Sequence, residues 1–119
     1  MDETNGSFAA EIEGALLRHT VEPWFPRVVD AERGGFLQDF GPDWSPAPAR
    51  PRSVVYQARM VWVTATLARC RPDLPLPFAE WAERGLEALK RDFVIDDGVV
   101  CFWEGRTDET HLYATAFAL

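Results

Sequence analysis

An all-α, layered helical fold is what this sequence predicts, and three observations predict it. Apolar residues recur at helical spacing in four separate stretches of the chain. Those stretches alternate between half-exposed and nearly all-apolar, as inner and outer layers of helices require. Between them lie Gly, Pro and Asp turn signals with only short strand-like hairpin segments. With 119 residues, 47% hydrophobic and 26% charged, the chain has the length and composition of a single globular domain, 1–119.

The first helix is predicted over residues 7–22, where Ser7 can cap and Phe8, Ile12, Ala15, Leu16 and His19 share a face. PWFPRVVD then reads as a short helical turn beginning at Pro23. In ERGGFLQDF the Gly34-Gly35 pair punctuates the chain, and alternating Phe36, Gln38 and Phe40 predict a short strand. GPDWSPAPARP, residues 41–51, is a proline-rich loop, and Trp44 in its middle is expected to find cover. Residues 52–70 form the most apolar helix and are expected inside. A fourth segment, 77–93, places Phe78, Trp81, Ala82, Gly85 and Leu89 on one side and Glu80, Glu83, Arg84, Glu87 and Lys90 on the other. Asp96-Asp97-Gly98 is a turn, VVCFWEG a strand, and THLYATAFAL the start of another apolar helix that lacks a stop signal.

Net charge is −7, with 19 acidic against 12 basic residues, which argues against a nucleic-acid or anionic-membrane surface. No apolar run approaches the roughly 20 residues of a membrane span, and MDETNGSF is no secretory leader. A cytoplasmic protein is the expectation. Cys70 and Cys101 have no CxxC or Cys/His ligand spacing, so both are read as reduced thiols, one a small buried residue and one a strand residue, with a disulfide between them as the lesser alternative. No metal or cofactor motif is present, and Gly34-Gly35 lacks the pattern of a phosphate loop.

The stretch VYQARMVW concentrates the chemical interest. Arg59 stands in an apolar helix, and a guanidinium is costly to bury without partners. It shares a helical face with Trp62, Val63 and Thr66, with Tyr56 a turn earlier. Either Arg59 reaches the rim or pairs with a carboxylate such as Asp39 or Asp43, or it faces a polar cavity with Trp62 as an apolar wall. Tyr113 and Phe117 share a face of the last helix. His111 reads as a surface residue at a helix end and His19 as a packed one.

ERGGFLQDF followed by DW, then VYQARMVW, then HLYATAFAL resemble in consistent order the N-terminal part of the N-acylglucosamine 2-epimerase superfamily, over about residues 15–119. That family includes cellobiose 2-epimerases and mannose or aldose–ketose isomerases. The resemblance implies a partial (α/α)6 barrel whose inner helices line a sugar pocket. It also implies proton transfer at C2 through an enediol-like intermediate, without a cofactor. The arginine of the Q-A-R-x-x-W stretch falls on Arg59, as catalytic residue, and the tyrosine of L-Y-x-x-A-F on Tyr113. Trp62, Tyr56 and Phe117 would complete the substrate-binding set. Thr115 stands where the family often has His or Gln. The acid and base histidines of the family match neither His19 nor His111, so the chain alone is expected to be inactive and, with its apolar helices uncovered, to self-associate. The alternative is a non-catalytic helical fragment, or a carbohydrate-binding or assembly module. Another toroidal enzyme, a hydrolase or lyase, would call for placed carboxylates that the buried faces do not offer.

Overall fold

The computed structural model describes residues 3–47, 50–96 and 98–119, with the side chains of residues 3–5 excepted. Its first helix, α1, spans Glu3–Leu16 and runs through a π-helical turn, Leu17–Val21, into a short α2, Glu22–Trp24. Ser7 lies inside α1 instead of capping it. Phe8, Ile12 and Leu16 occupy an exposed face, so the apolar stripe expected to enter the core faces outward.

Helix α3, Val54–Cys70, begins where Ser53 sits in extended backbone and its hydroxyl accepts from the Tyr56 amide at 3.3 Å. Helix α4, Phe78–Phe93, follows Pro77 and buries Phe78, Trp81, Ala82, Gly85 and Leu89, as its pattern predicts, together with Ala88 and Phe93. The two helices make the main packing interface of the molecule. Gly85 is its closest point. A Cβ there would stand 2.7 Å from Phe36 Cε2 and 3.0 Å from Val61 Cγ2. The bare glycine backbone therefore lets the fully buried Phe36 ring lie against α4.

Beyond α4 the chain turns at Gly98, φ 75°, and pairs β1, Val94–Asp96, with β2, Val99–Val100, as an antiparallel two-stranded sheet. A last helix, α5, spans Leu112–Ala118, packs on α3 and groups Ala114 with Val54, Ala58 and Phe93. This forms one apolar cluster with Leu89, Val100 and Cys101; Val21, Phe25, Val28, Phe36, Met60, Phe78 and Trp81 form the other. In the latter Phe25 stacks on Trp81 with ring centroids 5.7 Å apart.

The expectation of an all-α partial (α/α)6 barrel is corrected by this arrangement. The fold is mixed, with helices and a small antiparallel sheet. The β-branched residues on either side of Gly98 pair into strands instead of merely linking helices, and α1 leaves its apolar face uncovered instead of taking its place in a helical layer. The strand expected at Phe36–Phe40 is also absent. Phe36 makes a single bridge to Val29 and Phe40 one to Pro46. Cys101 is buried as a strand neighbour, whereas Cys70, expected inside, is exposed at the end of α3; both are free thiols. His19, expected to pack, is exposed.

Candidate functional site

Helix α3 has two unlike faces, and the site follows from which of them meets α4. Gln57, Met60 and Thr64 point inward. Gln57, 1% exposed, replaces a missing strand: its Oε1 accepts from the Phe36 amide at 2.9 Å and its Nε2 donates to the Phe36 carbonyl at 2.6 Å. The Thr64 hydroxyl donates to the Met60 carbonyl at 2.8 Å. No buried polar side-chain atom lacks a partner among the described residues.

The buried arginine is Arg52, just ahead of α3, at 7% exposure. Its guanidinium donates from Nη1 to the Gly34 carbonyl (2.9 Å) and from Nη2 to Asp92 Oδ2 (2.9 Å) and Glu104 Oε1 (3.0 Å). Nε completes a bidentate pair with Glu104 Oε2 (3.1 Å). Arg33 also pairs with Glu104. Hydrogen bonds from Arg91, helped by the charges of Arg52 and Arg33, hold the Asp92 carboxyl below the usual carboxylate range.

The outward face carries Arg59 and Trp62, the latter 67% exposed. Arg59 meets neither suggested carboxylate: Asp39 pairs with Arg50, and Asp43 accepts from Ser45. Among the described residues Arg59 has no ion pair. Its guanidinium carbon instead lies 4.6 Å from the centroid of the Phe117 ring. Ala58, Arg59, Trp62, Val63 and Phe117 line an open cleft of about 460 Å³. A wholly apolar cleft of about 410 Å³ adjoins it, sharing Trp62 and Val63, with Leu16, Trp24 and Tyr56 among its walls.

Of the residues singled out in the sequence, Arg59, Trp62 and Phe117 therefore meet. Tyr56 reaches only the adjoining cleft, and its hydroxyl is committed to the Leu37 carbonyl at 2.7 Å. Burial, with the negative charge of Asp39, pushes the Tyr56 phenol far above its ordinary value. Tyr113 stands apart, half-exposed in a ring cluster with Phe102 and His111 at centroid distances of 6.1 and 5.7 Å. His111 precedes α5 and lies near Glu109, at 3.4 Å.

The residues that sequence reasoning missed are Arg52 and Gln57. Their one signal is the Gly34-Gly35 pair, whose positive φ angles of 77° and 75° bring backbone against both side chains; a Cβ on Gly35 would stand 2.7 Å from Gln57 Oε1. Among the described residues no His, Cys, Asp or Glu group is arranged to hold a metal ion. No helix is long and apolar enough to cross a membrane. No family model matches the chain.

Proposed function

We propose that this chain supplies the arginine-bearing wall of a sugar site in a carbohydrate 2-epimerase or aldose–ketose isomerase. The observation that carries the reading is Arg59, unpaired among the described residues and held over Phe117 beside exposed Trp62 at an open cleft. Sugar recognition calls for this pairing of chemistries. Ring faces take the C–H side of a pyranose, while the planar guanidinium donates to hydroxyl or carbonyl oxygens. The resemblance of ERGGFLQDF, VYQARMVW and HLYATAFAL to the N-acylglucosamine 2-epimerase superfamily supports the same assignment for Arg59.

Moving the C2 proton through an enediol-like intermediate requires a base on one side and an acid on the other. Arg59 stabilises negative charge developing on a sugar oxygen, but a guanidinium offers donors and no acceptor, so it cannot serve as the base. Neither histidine lines the Arg59 cleft. The acid and base therefore come from outside this chain, and no redox or electrophilic cofactor is required by the proton transfers themselves. A cytoplasmic setting, where both cysteines persist as thiols, goes with this reading.

The test is C2 deuterium exchange, followed by NMR, with N-acetylmannosamine, mannose and cellobiose, together with binding of the same sugars. The expected result is sugar binding that perturbs the Trp62 and Phe117 signals and is lost at those signals in Arg59→Met, with no exchange by the chain alone. Binding at Trp62 and Phe117 that is indifferent to Arg59→Met overturns the site, and exchange by the isolated chain overturns its dependence on outside groups.

A second reading, an assembly module, draws on the exposed apolar residues: Leu112 is 88% exposed, and Phe8, Ile12 and Trp62 are more than half so. Surfaces of this kind drive association. Concentration-dependent sedimentation is the outcome expected of it, and a monomer at every concentration removes it.

A further inference from the structure

The proline-rich loop builds a second site, away from Arg59. Its turn is closed by the Phe40–Pro46 bridge, by Gly41 donating to the Ser45 carbonyl (2.8 Å) and by Trp44 donating to the Gly41 carbonyl (3.0 Å). Asp43 Oδ1 locks it by accepting from the Ser45 amide (3.1 Å) and hydroxyl (2.6 Å). Trp44 is held at φ 66°, the one non-glycine residue with positive φ among those described. Such backbone persists only where its surroundings over-determine it. Here they set the indole 5.3 Å from Trp24 and 5.7 Å from Phe40, with the Arg27 guanidinium 4.8 Å from its centroid. All three rings are half-buried, and they wall an open groove of about 500 Å³ together with Gln38 and Asp39.

Gln38 and Asp39 also line an adjoining polar crevice of about 180 Å³, with Asp30, Arg50 and Arg52. Asp30 is only 9% exposed. Its Oδ1 accepts from the Glu32 and Arg33 amides (3.1 and 3.0 Å), while Oδ2 has no hydrogen-bond partner among the described residues. Gln38 Oε1 accepts from the Ser53 amide at 2.9 Å, which fixes the side-chain amide and leaves its NH2 as a donor unmatched among the described residues. Asp39 uses one carboxylate oxygen on Arg50 at 3.2 Å.

We infer that this groove and crevice together bind a neutral saccharide, one pyranose lying against Trp24, Phe40 and Trp44 while its hydroxyls bond to Gln38, Asp39 and Asp30. The ligand must have an apolar face for the rings and an edge that both donates and accepts, because open carboxylate oxygens and an amide NH2 belong to residues lining the same crevice. A purely apolar ligand would bury the Asp30 carboxylate oxygen unpaired, at considerable cost. An anion would meet Asp30 and Asp39. A cation would meet Arg27 and Arg50. Hydroxyl groups suit the whole set. The inference does not rest on the Arg59 reading, since the two sites share no residue.

The experiment is a titration of the 15N-labelled chain with cellobiose, maltose and mannobiose. The expected result is saturable shifts of the Trp24 and Trp44 indole N–H and Gln38 side-chain signals with at least one sugar. These shifts persist in Arg59→Met, weaken in Asp39→Asn and vanish in Trp44→Ala. Should Trp44→Ala unfold, the wild-type map and Asp39→Asn decide alone. The inference is overturned if no sugar moves these signals saturably, if Asp39→Asn and Trp44→Ala leave the shifts unchanged, or if the shifts fall only on Arg59, Trp62 and Phe117. That last outcome would leave the function proposed for Arg59 standing.

Discussion

On one side of α3 Gln57 closes both hydrogen-bonding groups of Phe36, and just before the helix Arg52 ties the Gly34 loop to Asp92 and Glu104. On the other side Arg59 has an aromatic ring beneath it and no ion pair among the described residues, and Trp62 lies largely in the open. Both faces carry polar or charged side chains in an apolar helix. Only the inward face matches them with partners inside the fold. The contrast teaches that a charge in an apolar stretch is structural when the chain supplies its counter-groups, and available for recognition when it does not. It also means that substitutions on the two faces should differ in kind, with stability lost on one and binding on the other.

Arg52→Met should show the largest effect. It leaves two largely buried carboxylates without their shared cation and frees the Gly34 carbonyl, a loss of about 3 kcal/mol, read as a lowered denaturant midpoint. Gly85→Ala should come next. Its methyl group meets the Phe36 ring and Val61 in the tightest part of the α3–α4 interface, so about 2 kcal/mol is expected by the same measurement. Tyr56→Phe withdraws the donor from the Leu37 carbonyl and should lose about 1 kcal/mol. A near-neutral Arg52→Met would break the comparison at its strongest point.

Acid sharpens the same contrast. The folded-state pKa of Asp92 lies below its ordinary value of 3.8, so its contribution to stability is present above that value and is lost as pH falls through the folded one. The melting temperature should therefore fall on acidification below about pH 4. Arg91→Gln, which removes the main cause of the depression, should make that fall shallower. An unchanged slope would show that Asp92 is not the group responsible.

Much of this architecture was legible, and the failures have physical causes. The α4 pattern named its own buried face because charged and apolar residues separate cleanly around it. Helix α3 was legible as a helix but not in its orientation, since apolar residues surround it and the wheel does not say which side meets a neighbour. Phe36, Gln38 and Phe40 alternate like a strand, yet a side-chain amide from 21 residues away takes the partner strand's place. Arg52 finds Asp92 and Glu104 at separations of 40 and 52 residues, which no local pattern reveals. Within the candidate site, helical spacing put Arg59 and Trp62 on one face of α3, but that Phe117 of α5 comes under the Arg59 guanidinium is a contact between helices that no spacing reveals. Tyr56 and Tyr113 lie outside the Arg59 cleft, one phenol committed to the Leu37 carbonyl and the other ring joined to Phe102 and His111, and the Leu37 and Phe102 contacts span separations that no local pattern reveals.

Arg59→Met is the smallest of these changes in stability and the most informative about function. Methionine keeps the helical preference of the position and most of its apolar length, and it can still pack on the Phe117 ring. No ion pair is broken among the described residues, so the midpoint should move by no more than about 0.5 kcal/mol. Sugar binding at the Trp62–Phe117 cleft should nevertheless be lost, because no other charged donor lines it. Arg59→Lys separates charge from shape: a point charge keeps attraction for oxygen but gives up the planar fork. Partial binding in Lys and none in Met would identify a recognition arginine. Equal loss of stability and binding in both would place Arg59 with Arg52 among the residues that hold the fold, and the difference between the two faces of α3 would disappear.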